Sequence, residues 1–114
     1  MNLKQHKTLT EEKWKQFPFY KQILMIANEM NRAGSWLEKK DFEEVKRCYE
    51  RALELVDLTI CVLTKKKYLR EFLRFREVLA EMYIEEQPAI EKNQRLISVL
   101  LLFDKDSYIA LAQP

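Results

Sequence analysis

Asp41 to Thr64, DFEEVKRCYERALELVDLTICVLT, carries the marks of one long helix that turns apolar on nearly every side toward its end. Asp41 is placed to cap it, because a carboxylate there accepts from the otherwise unpaired amides of the first turn. Glu43 and Glu44 then stand where the helix dipole favours negative charge. Apolar residues recur at Phe42, Val45, Tyr49, Ala52, Val56, Thr59 and Leu63, the three-and-four spacing that gathers side chains on one face. A second row, Cys48, Leu55, Cys61 and Val62, widens that face. Such a helix is contacted from several sides, so it is expected to be the most buried element of an all-helical core.

The rest of the chain fits that core. At 114 residues it makes one domain, 1–114, able to bury about two thirds of its unfolded surface without disulfides or metals. A composition of 47% hydrophobic and 33% charged residues, with one glycine and three prolines, suits long helices and short turns and disfavours a many-turned β fold. The net charge of +2 is too small to argue for polyanion binding by itself. No export signal opens the sequence and the longest apolar run, Leu96 to Phe103, is far short of the roughly 20 residues of a membrane helix. A cytoplasmic protein is expected. Cys48 and Cys61 fall on one helix roughly 20 Å apart, too far to pair with each other or share a metal, and both read as buried thiols.

Along the chain, residues 1–9 look loose, and Thr10 caps a short helical arm, expected to pack on the bundle, that carries Trp14 and Phe17 before Pro18. A helix over 18–40 places Tyr20, Ile23, Leu24, Ala27, Met30, Ala33 and Leu37 on one stripe. Gly34, late in that helix, marks either a break or a close helix crossing, and the crossing is the reading taken. After the 41–64 helix and a lysine-rich turn comes a third long helix, 68–86, with Leu69, Phe72, Leu73, Leu79, Met82 and Tyr83 facing inward and Phe75 and Val78 partly outside that face. A fourth, 89–103, follows Pro88. A β-hairpin across 104–107 competes for residues 97–112, with a final helical turn at 108–112 as the other option. The expected architecture is an all-α antiparallel bundle of four main helices with a short N-terminal arm.

Asn31 to Leu55, NRAGSWLEKKDFEEVKRCYERALEL, resembles a single tetratricopeptide repeat. Ala33, Trp36, Phe42, Tyr49 and Ala52 fall where that repeat places packing residues. Val45, Glu29, Arg32 and Asp57 depart from its pattern, and no second copy is visible where a solenoid needs about three. The stretch QILMIANEMNRAGSWLEKKD is also similar to one in the flagellin export chaperones, which are small bundles. Both resemblances imply a helical hairpin that binds other polypeptides.

Catalytic patterns are thin. Glu50, Glu54 and Asp57 share one side of the central helix at a spacing that magnesium-dependent nucleotide hydrolases use. Those enzymes need a second acidic pair on a neighbouring helix, and Glu38 with Asp41 does not supply one. Glu50 and Glu54 therefore read as a solvated face, and Asp57 as the partner of a Lys or Arg on another helix. His6 is the only histidine, which removes Glu-x-x-His metal pairs and Arg-His ribonuclease pairs. There is no Gly-rich loop and no Cys-x-x-Cys. No cofactor and no catalytic or metal-binding residue is expected.

The third long helix stands out because its charges are ordered against its dipole. Lys65, Lys66, Lys67, Arg70, Arg74 and Arg76 crowd its start, and Glu77, Glu81, Glu85 and Glu86 its end. Each exposed charge in the wrong end turn costs about 0.3–1 kcal/mol. An antiparallel partner helix would match basic to acidic halves, and the same helix of a second copy is the simplest such partner. The candidate interface is Lys67, Arg70, Arg74, Glu77, Glu81 and Glu85, with Trp14 and Trp36 as further exposed aromatics. The bland alternative is a solvated face with local pairs such as Arg74 with Glu77. Nucleic-acid contact through Lys65, Lys66, Lys67, Arg70 and Arg74 is a third reading, since KKKYLREFLRFR interleaves cations with aromatics and leucines. The expectation is a small helical adaptor or assembly protein that binds another polypeptide or itself.

Overall fold

The structure, a computed structural model, describes residues 3, 6, 8–64 and 66–104. Five helices run in order: α1 (Glu11–Lys15), α2 (Phe19–Glu38), α3 (Phe42–Val62), α4 (Lys66–Ile84) and α5 (Ile90–Leu101). No strand occurs among the described residues, so the fold is all-α. Residues 97–101 continue α5 rather than opening a hairpin, and the option of a last helical turn at 108–112 lies outside the described residues. No helix among the described residues is long and apolar enough to cross a membrane.

Local chemistry sets the ends. Thr10 Oγ1 accepts from the Lys13 amide at 3.2 Å and Asp41 Oδ1 from the Glu44 amide at 3.3 Å, which caps α1 and α3. The end of α2 closes with the Asp41 amide donating to the Trp36 carbonyl (3.0 Å) and the Lys40 amide to the Leu37 carbonyl (3.1 Å). That is the Schellman arrangement, whose left-handed position usually carries glycine. Here Lys40 holds it, at φ 57. The chain's one glycine is used elsewhere: Gly34 sits inside an unbroken α2, where a Cβ would lie 3.3 Å from Asn93 Nδ2 of α5. The close crossing is the reading that holds.

The four long helices run up and down in turn. α3 packs beside α2, α4 beside α3, and α5 returns against α2, so the ring closes with its thinnest seam between α4 and α5. The core holds Ile23, Ile26 and Met30 of α2, Tyr49 and Val56 of α3, and Phe72 and Leu79 of α4, all fully buried. Each such side chain removed from water contributes about 1.5–3 kcal/mol. α2 is as deeply buried as α3, so the centre belongs to the hairpin rather than to α3 alone.

Polar groups pin the pieces together inside. Asn93, fully buried, accepts from the Tyr49 hydroxyl at 2.8 Å and donates to the Met30 carbonyl at 3.0 Å, joining α5 to α3 and α2. Trp14 is fully buried, its indole N–H donating to Thr59 Oγ1 at 3.0 Å, while Gln22 Nε2 donates to the Trp14 and Phe17 carbonyls. The arm packs on the bundle as expected, folded onto α3 and α2, but Trp14 is not exposed: it fills the joint. Cys61, expected to be buried, is exposed near the end of α3, whereas Cys48 is buried, and burial pushes its thiol up from the ordinary value. Both thiols are free.

Candidate functional site

The inward row of α4 is Phe72, Phe75, Leu79 and Met82, spaced three, four and three. This turns the helix from the expected face. Phe75 is core and Leu73 is 49% exposed. The physical reason lies at the edge against α3, where polar anchors take the place that Leu73 was expected to fill. Arg76 grips Asp57 through both carboxylate oxygens, the Tyr83 hydroxyl donates to Glu50 at 2.6 Å, and Lys46 donates to the Tyr83 and Glu85 carbonyls. The carboxylate raises the Tyr83 hydroxyl above its ordinary pKa. Asp57 has the cross-helix arginine expected of it. Lys46 brings positive charge to the last carbonyls of α4, which offsets part of the unfavourable order of charge along that helix.

The three acidic groups of α3 whose spacing suits a divalent ion are each engaged by a different neighbour. Glu50 takes Tyr83, Glu54 takes the His6 amide and Nδ1 (2.8 Å), and Asp57 takes Arg76. Among the described residues no three His, Cys, Asp or Glu side chains, these included, come together as a group that could hold a metal ion. An ionic cluster elsewhere, buried Glu29 with the exposed Arg32 (3.2 Å) and the partly covered Arg51 (2.9 Å), ties α2 to α3 beside Cys48. Neither this cluster nor the Asn93 network was read from the sequence. A polar side chain opposite the only glycine was the available signal for Asn93.

What remains on the outside of α4 is the candidate site. Lys67, Arg70, Arg74, Glu77 and Glu81 are all exposed, and among the described residues none of them has an ion pair within the chain. Arg74 and Glu77 do not pair with each other. Glu85, by contrast, is partly covered and bound by Lys92 of α5 at 3.2 Å, and Lys67 lies over the Tyr68 ring at 4.9 Å. Lys65 lies outside the described residues, and of Lys66 only the start of the helix is described. Trp36 is half-buried with Lys39 over its ring at 4.9 Å, and it sits on α2, away from this face.

Exposed apolar side chains cluster around the same helix. Leu73, Val78 and Ile84 of α4 and Val99 and Leu102 at α5 are the large hydrophobics left in solvent among the described residues, with Ile84 at 76%. Between α4 and α5 an open groove of about 460 Å³ has an apolar floor of Phe75, Met82, Leu96, Val99 and Phe103. Charged side chains, including Arg74, Glu81 and Arg95, stand along its rim. Unpaired charges of both signs beside exposed aliphatic groups make a surface suited to another polypeptide. No protein-family model, no curated protein and no solved structure matches this chain.

Proposed function

We propose that this protein is a small helical interaction or assembly protein that associates with itself through the outer face of α4. One observation carries the reading: among the described residues Arg70 and Arg74 in the basic half of α4 and Glu77 and Glu81 in its acidic half have no ion-pair partner, beside Leu73, Val78 and Ile84 in solvent. Arg76 and Glu85 are spent on neighbouring helices, so the remaining charges are those that a second polypeptide can use. An antiparallel partner answers both halves at once. The tetratricopeptide-like hairpin of α2 and α3 belongs to the same proposal as the scaffold that presents α4. Two free thiols, one at the surface, suit a reducing compartment, and a cytoplasmic location goes with this reading.

The test is charge reversal. Arg70→Glu with Arg74→Glu should weaken self-association at low salt and reduce its sensitivity to added salt, measured by sedimentation equilibrium. An unchanged association state would remove α4 from the interface. Nucleic-acid binding by Lys67, Arg70 and Arg74 is the reading left if wild-type protein retains mixed oligonucleotides on a gel and releases them as salt rises. Glu71 within the basic half, and the acidic half beyond it, weigh against it.

A further inference from the structure

The outward residues of α4 follow a three-four alternation, Lys67, Arg70, Arg74, Glu77, Glu81 and Ile84, and all six are exposed. That alternation is the spacing along which two helices pack side by side over several turns. Read backwards, the row is complementary to itself: Ile84 stands opposite Lys67, Glu81 opposite Arg70, and Glu77 opposite Arg74. Resting on the self-association proposed above, we infer that the second copy binds in this one register, antiparallel, about a twofold axis between Phe75 and Arg76.

Charge discriminates against the neighbouring registers. A shift of one heptad in one direction sets Arg70 against Arg74 and leaves only Lys67 against Glu77 attractive, and a shift in the other sets Glu77 against Glu81 with no attractive layer left, so each loses both arginine–glutamate layers and gains a repulsive one. In the inferred register the Arg70–Glu81 and Arg74–Glu77 layers are both matched and repeated by symmetry. The apolar residues fit it as well. The methylene stem of Lys67 covers Ile84, which is 76% exposed in the single chain, and Leu73 of the two copies comes to the same flank on either side of the axis. Val78 lies on the other flank, toward the α4–α5 groove that it helps to line.

The deciding experiment is a set of charge swaps, with the dissociation constant of each variant read by sedimentation equilibrium at low salt and the helix content checked by circular dichroism. Because each contact occurs twice, Arg74→Glu alone should weaken association about tenfold. Adding Glu77→Arg to it restores near-wild-type association, whereas adding Glu81→Arg leaves it weak or weaker. Restoration by Glu81→Arg and not by Glu77→Arg would overturn the register while leaving α4 as the interface. If the wild type dimerises and neither swap restores, the contact is not made by this row. A wild type that stays monomeric sinks the self-association reading itself.

Discussion

The two halves of the bundle are finished differently. The α2–α3 hairpin, with α1 folded onto it, leaves no large hydrophobic side chain in solvent among the described residues, and its inward charges, Glu29 and Arg51, meet each other. The α4–α5 half carries every exposed large hydrophobic among the described residues, and a helix on which Arg70, Arg74, Glu77 and Glu81 find no ion-pair partner among them. Both halves share one core, so the difference is not one of stability alone. A surface that could have been neutralised by local i,i+3 pairs, as Arg47 is with Glu44 on α3, was instead left segregated by sign on α4. Segregation of this kind does little for a lone chain and a good deal for a pair.

The largest expected effect tests the contrast at matched chemistry. Ile26→Ala on α2 should cost about 2–5 kcal/mol in urea unfolding, because it empties space in a sealed core. Leu73→Ala on α4 should cost no more than about 0.5 kcal/mol under conditions where the protein is monomeric. Equal costs would mean that Leu73 is packed within the chain and that the two halves do not differ as described.

A smaller effect concerns the polar joint between the halves. Tyr49→Phe removes the donor to Asn93 Oδ1 and should destabilise by about 1–3 kcal/mol. It should also change the alkaline limb of stability. Burial holds the Tyr49 phenol protonated well above the ordinary tyrosine value of 10. The unfolded chain therefore loses its proton first as pH rises, so the stability from this group is whole below pH 10 and falls above it. Thermal melts between pH 9 and about 11 should fall less steeply for Tyr49→Phe than for wild type. Parallel slopes would show that Tyr49 does not govern that limb.

The smallest effect is at the turn of the hairpin. Lys40→Gly relieves a side chain held at φ 57 and should raise stability by up to about 1 kcal/mol, read as a higher urea midpoint with an unchanged slope. A lower midpoint would show that the turn is not strained.

Much of this molecule was legible beforehand. Periodicity and caps gave the short arm and the four long helices, because Thr10, Asp41 and the two prolines at 18 and 88 act through local chemistry that does not depend on the rest of the fold. The role of Gly34 and the pairing of Asp57 with a cation of another helix were also readable, since a lone glycine in a helix and a lone acid on an apolar face each demand a neighbour. What failed was rotation and burial at the edges. Leu73 and Phe75 both satisfy a helical stripe, and only the grip of Asp57, Glu50 and Lys46 on α4 decides which one turns inward. Trp14 was misjudged because a short arm gives no periodicity from which to tell its packed face. For the candidate site, the sequence displayed the order of charge on α4, but not that Arg76 and Glu85 are taken by neighbouring helices while Arg70, Arg74, Glu77 and Glu81 are left over.

The most direct measurement is the solution mass by light scattering across protein concentration, at low and at high salt. A dimer at low salt that dissociates toward the monomer as salt screens the charges is the expected result for an α4 interface. A monomer at every concentration at low salt would contradict it.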